Sequence, residues 1–141
     1  MAKNRSELRE IIVTSLYQVI LYINNDMEFD VEAIIKENMP IQNEFVNQTV
    51  HGVLINLEEL TVVVNKYLNN WTLDRLGKID QAILLLGAYE LLKTDTPQVV
   101  VINEAVELSK KFSDDEVKGL INGVLDKIYH EEVESWIVLN I

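Results

Sequence analysis

The chain has 141 residues, no cysteine, and twelve Lys and Arg against twenty-three Asp and Glu, for a formal net charge of −11. A chain of this size makes one domain with a core of its own, burying roughly 68–70% of its unfolded surface. Without thiols there is neither a disulfide framework nor a thiolate metal site, which fits a reducing cytoplasm. The acidity opposes approach to nucleic acid or an anionic membrane and favours a basic partner, so any RNA contact must rest on a local basic patch.

The opening MAKNRSELRE has no apolar run of the signal-peptide kind and leads straight into an amphipathic pattern. From Asn4 to about Ile23 the residues Leu8, Ile11, Ile12, Ser15, Leu16, Val19 and Ile23 recur at helical spacing. Asn4 and Glu7 form a capping box, and Asn24, Asn25 and Asp26 end the helix. A short amphipathic segment follows from Asp30 to Glu37, with Val31, Ile34 and Ile35 inward. Pro40 suits the first turn of the next helix, where its missing N–H is no loss. That helix is expected from Ile41 to Leu68, with Phe45, Val46, Thr49, Val53, Ile55, Asn56, Leu60, Val63, Val64 and Tyr67 on its face. The β-branched run Thr61 to Val64 is read as helix, because no second strand exists to pair with it. Asn69 and Asn70 interrupt, and Trp71 to Gly77 reads as a turn capped by Thr72.

The stretch Lys78 to Lys93, KIDQAILLLGAYELLK, is apolar in nearly every direction around a helical axis and must be enclosed by other helices. It falls short of the roughly 20 apolar residues that span a bilayer. Thr96 and Pro97 then read as an N-cap and first helical residue, opening a helix to Phe112 with Ile102, Ala105, Leu108 and Phe112 inward. Ser113 and Glu116 read as a second capping box before a helix to Ile128, in which Gly119 and Gly123 permit close backbone approach. The tail from residue 131 to 141 ends apolar, and either folds back or joins two copies as a homodimer through Trp136 to Ile141. These elements make an all-α fold, a compact helical bundle of about seven helices. Residues 1–130 form one domain, with subdomains about 1–69 and 70–130.

Catalytic chemistry is not written in the chain. His51 and His130 have no second ligand at the spacing of a helical metal site, and no nucleophile elbow, phosphate-cradling loop or dinucleotide fingerprint occurs. The acidic runs Asp114 to Glu116 and Glu131 to Glu134 read as solvated charge and cap residues. The expectation is therefore a protein that is not an enzyme and needs no cofactor or metal.

Three linked segments carry a more specific signal: LGKIDQAILLLGAYEL, TPQVVVINEAVELSKKF and INGVLDKI, spanning residues 76 to 128. In order and separation they resemble the NusB family of bacterial transcription antitermination proteins, and Arg9, Leu16 and Tyr17 extend the match to the first helix. The resemblance implies an all-α fold and a heterodimer with NusE, a small-subunit ribosomal protein. It also implies binding to boxA RNA and assembly with other Nus factors on RNA polymerase, notably during ribosomal RNA synthesis.

Carried over residue by residue, the family's basic N-terminal arm corresponds to Lys3, Arg5 and Arg9, with Ser6 and Glu7 where members often have arginine. A second RNA-facing surface corresponds to Glu116, Lys118 and Leu120, with an aliphatic Leu120 where an aromatic is common, and Lys78 adds local positive charge. Tyr17, Asp80 and Glu90 correspond to NusE-facing positions. Each has a plainer rival. Arg5 and Arg9 also suit solvent-facing helix positions, Tyr17 a half-buried ring with its hydroxyl in water, and Asp80 a helix first turn that favours a carboxylate through the dipole alone.

Overall fold

A computed structural model describes residues 2–140. The long helices are α1 (Arg5–Asn24), α2 (Val31–Asn38), α3 (Glu44–Ile55), α4 (Leu57–Tyr67), α5 (Lys78–Lys93), α6 (Gln98–Phe112) and α7 (Asp115–Ile128). A 3₁₀ turn, Leu73–Arg75, precedes α5, and a π-helical turn, Tyr129–Glu134, continues α7 into the short α8 (Ser135–Leu139). No strand occurs among the described residues.

Enclosure of α5 organises the rest. Every residue from Asp80 to Leu91 except Tyr89 is buried, and α1, α3, α4, α6 and α7 all pack against this helix. The shared core joins Ile12 and Leu16 of α1, Val50 and Val53 of α3, Leu60 and Val64 of α4, Ile83 and Leu84 of α5, and Ile121 and Leu125 of α7. A buried side chain of this kind contributes roughly 1.5–3 kcal/mol, so an apolar rod sheathed on all sides accounts for both its position and the order of the helices around it.

Local signals set most boundaries. The Asn4 side chain accepts from the Glu7 N–H at 2.8 Å and the Glu7 carboxylate accepts from the Asn4 N–H at 3.1 Å, completing the expected box. Asp26 and Asn70 take positive φ values of 52° and 63° just beyond α1 and α4, a backbone region that short polar side chains tolerate. The β-branched run Thr61 to Val64 is helical.

Several boundaries differ from expectation. The single helix from Ile41 to Leu68 is two, because Asn56 turns its amide onto the Gly52 carbonyl at 2.7 Å and closes α3. Pro40 lies outside α3, which begins beyond Asn43, whose side chain accepts from the Val46 N–H at 3.0 Å. Pro97, not Thr96, holds the cap position of α6, and Ser113 and Glu116 make no box, since Asp114 precedes α7 without a side-chain cap. Ile55 and Phe112 face solvent, 82% and 38% exposed.

Close helix approach comes from other glycines than the expected ones. A Cβ on Gly119 or Gly123 would meet open space, whereas at Gly87 it would lie 2.8 Å from a Leu125 methyl and at Gly52 it would overlap the Tyr89 ring. The tail neither folds fully back nor hangs free. Glu132 accepts from Tyr67 Oη at 2.6 Å and pairs with Lys66 at 3.2 Å, while Trp136, Val138 and Leu139 stay exposed beyond it; Ile141 lies outside the described residues. No helix among the described residues is long and apolar enough to cross a membrane.

Gly52→Ala tests the α3–α5 contact. Helix propensity alone would stabilise it by about 0.5–1 kcal/mol, but displacing the Tyr89 ring costs about 1–3 kcal/mol. Urea unfolding should show net destabilisation with an unchanged m-value.

Candidate nucleic-acid and partner interface

The first two turns of α1 are fixed by three other helices. Arg9 is 4% exposed and its guanidinium meets the Glu90 carboxylate on α5 with two bonds, Nε to Oε1 and Nη2 to Oε2, each 2.8 Å. Glu90 is itself 2% exposed. The hydrogen bond to Glu90 raises the guanidinium pKa above its ordinary value, against the opposing effect of burial, with the charges of Glu90 and Glu104 adding to the rise. One turn back, Ser6 Oγ donates to Glu104 on α6 at 2.7 Å, and Lys111 at the end of α6 pairs with Glu10. Arg5 lies over the ring of Phe45 in the first turn of α3, its Cζ 3.9 Å from the centroid, and Arg9 is 5.5 Å from the same ring.

Arg9 and Glu90 are therefore corrected from two surface residues with separate roles to one internal pair. Placed on α1 and α5, 81 positions apart, they had no local spacing to betray the contact. The remaining basic arm is Lys3 and Arg5, both exposed. Of the twelve basic residues, Arg9, Lys66, Lys93, Lys110 and Lys111 have an acidic partner within salt-bridge distance. Among the described residues Lys3, Arg5, Lys78 and Lys118 have none, so four of the five basic candidates keep an uncompensated charge.

The other candidates gather elsewhere. Lys78 and Asp80 open α5, with Lys78 half-buried and Asp80 7% exposed. Glu116 is exposed on α7, and Lys118 and Leu120 are half-buried. Asp80 sits near the α6–α7 junction: burial raises its pKa above the usual carboxylate range, the Ser113 hydroxyl opposes that rise, and the charge of Asp114 adds to it. Its Oδ1 has no hydrogen-bond partner within the chain. A buried carboxylate oxygen without a donor is costly to the folded state. Tyr17 is half-buried midway along α1. Ten residues of helix, about 15 Å, separate Glu90 from Asp80, so the basic arm and the Asp80 end lie at different ends of α5.

Neither histidine forms part of a metal cluster: His51 bonds Glu32 at 2.6 Å, His130 lies between Asp126 and Glu134, and no group of three metal-type ligands occurs among the described residues.

The model of the NusB family matches residues 6–130. The chain is 43% identical over 125 residues to the transcription antitermination protein NusB of Macrococcus caseolyticus, covering 89% of this chain and 95% of that protein. It is 41% identical over 127 residues to that of Campylobacter jejuni, covering 88% and 94%. Among solved structures, T. maritima NusB superposes with a TM-score of 0.83 at 29% identity, covering 93% of this chain and 94% of the other. The antitermination factor NusB, solved with NusE and double-stranded RNA, superposes with a TM-score of 0.77 at 27% identity, covering 92% and 98%.

Two substitutions probe these groups. Glu90→Gln should lower stability by about 3–5 kcal/mol by leaving Arg9 buried and unpaired, whereas Arg9→Met with Glu90→Leu should recover most of the loss; guanidinium chloride unfolding of both variants checks this. For Asp80 the sign follows from a folded-state pKa above the unfolded one. Its cost is absent below the ordinary carboxylate range and grows as pH rises through the raised value. Asp80→Asn should therefore raise Tm at neutral pH, and thermal melts should show the gain vanishing as pH falls below the carboxylate range.

Proposed function

This chain belongs to the NusB family, and from that premise we propose that it is a transcription antitermination factor that binds boxA-type RNA as a heterodimer with NusE. The observation that carries the proposal is the nearly complete mutual coverage between this chain and the NusB solved with NusE and RNA. In this reading Lys3, Arg5, Lys78 and Lys118 contact phosphate, with Glu116 and Leu120 beside them on α7. Tyr17 and Asp80 face NusE. A basic ribosomal protein suits a chain of net charge −11, through steered association and charge-assisted hydrogen bonds. The heterodimer would work with other Nus factors on RNA polymerase, notably in ribosomal RNA transcription, in the cytoplasm and without a reaction of its own.

A second reading keeps the NusE surface without useful RNA affinity. The burial of Arg9 favours it, because the arm is left with two exposed cations. A homodimer through the exposed Trp136 to Leu139 segment is a further arrangement that the tail supports.

Gel shifts on boxA-like RNA across a salt series, with and without NusE, separate these readings. The antitermination reading expects binding that depends on RNA sequence and tightens with NusE. Lys3→Gln with Arg5→Gln should flatten the salt slope by about two phosphate contacts. Binding to NusE with indifference to RNA sequence would select the second reading.

A further inference from the structure

The Arg5–Phe45 contact does more than hold charge near the arm. We infer that the outward face of the Arg5 guanidinium, backed by the Phe45 ring, is a stacking plate for one unpaired RNA base. The inference rests on the RNA-binding reading above and adds how a base, and not only a phosphate, is held.

The geometry is that of a built surface. Arg5 Cζ lies over the Phe45 ring, 3.9 Å from its centroid, well inside cation–π range. Arg5 is exposed and has no acidic partner within salt-bridge distance among the described residues, which leaves its side chain accessible to a ligand. Phe45 is half-buried in the first turn of α3, a helix whose start is fixed by the Asn43 cap. The backbone that carries Arg5 is equally fixed: Arg9 one turn on is locked to Glu90, and Ser6 next to it is tied to Glu104. The backbone that carries the pair therefore has little freedom to lose when a base arrives.

Chemistry sets the class of ligand. A guanidinium is planar, delocalised and weakly hydrated, so it stacks where a lysine ammonium cannot. Unpaired RNA bases stack on aromatic rings and on arginine planes alike. A paired base inside an A-form duplex offers no free face, so the plate selects single-stranded or looped RNA. Leu120, half-buried and aliphatic on α7, has no π face to offer, so the Arg5–Phe45 pair is the stacking surface considered for a base. Arg5 and Phe45 are 40 positions apart, which is why neither spacing nor composition marks them as a pair.

The test uses the full chain with NusE and a single-stranded boxA-like RNA, read by fluorescence anisotropy at several salt concentrations. Arg5→Lys keeps the charge and removes the plane. It should leave the salt slope unchanged and weaken binding roughly tenfold, within the range of one base stack. Phe45→Leu, with folding checked by circular dichroism, should weaken binding by a similar factor at unchanged slope. On a series of RNAs each with one abasic position, the Arg5→Lys penalty should disappear at a single position, which identifies the stacked base. Wild-type affinity in Arg5→Lys, or a penalty equal at every abasic position, overturns the plate while leaving RNA binding intact. Absence of RNA binding by the wild-type chain overturns the RNA reading and the plate together.

Discussion

The confinement of α5 is the constraint on which the molecule is built. A helix with Ile83, Leu84, Leu85, Leu86 and Leu91 pointing in different directions has no solvent face, and five neighbours are needed to cover it. Once those neighbours are in place, few degrees of freedom remain. Gly87 admits Leu125 and so sets how closely α7 can lie, and Gly52 admits Tyr89 and does the same for α3. The surfaces exposed at the two ends of α5 are consequences of that packing. They combine residues from helices that are remote in sequence but forced together by the need to sheath one rod.

That dependence explains which parts of the fold were legible in the amino-acid order. The helical state of each long segment, the limits of α5 and the Asn4–Glu7 cap follow from local periodicity and from hydrogen bonds spanning three or four residues. Errors arose where a local signal had a competitor. Pro40 is compatible with a helix start, but Asn43 makes the better cap three residues later; the apolar pattern runs on through Asn56, but its side chain takes a backbone carbonyl and divides the helix. Glycines four apart suggested tight approach at Gly119 and Gly123, yet only the tertiary arrangement decides which glycine has a neighbour over it.

The candidate interface could be read from the sequence as a set of residues, but not in how those residues pair. Basic residues on the first helix were visible as a group, yet nothing in their spacing distinguished Arg9, which turns inward, from Arg5, which does not. The difference is made by Glu90 on α5 and Phe45 on α3, at sequence separations of 81 and 40. Family resemblance singled out Asp80 as a partner position, and what local pattern could not show is that it is buried, with one carboxylate oxygen lacking a donor. Lys3 and Arg5 thus stay exposed while Arg9 serves internal structure.

The shielding of the Arg9–Glu90 pair also bears on how the protein would let go of a polyanion. Mobile ions penetrate a solvent-facing contact readily but a dry, doubly bonded pair hardly at all. A rise in ionic strength would therefore loosen the phosphate contacts proposed for Lys3 and Arg5 while α1 stayed clamped to α5. Detachment and rebinding could then cycle without any melting of the bundle, so the grip would be adjustable where the scaffold is not.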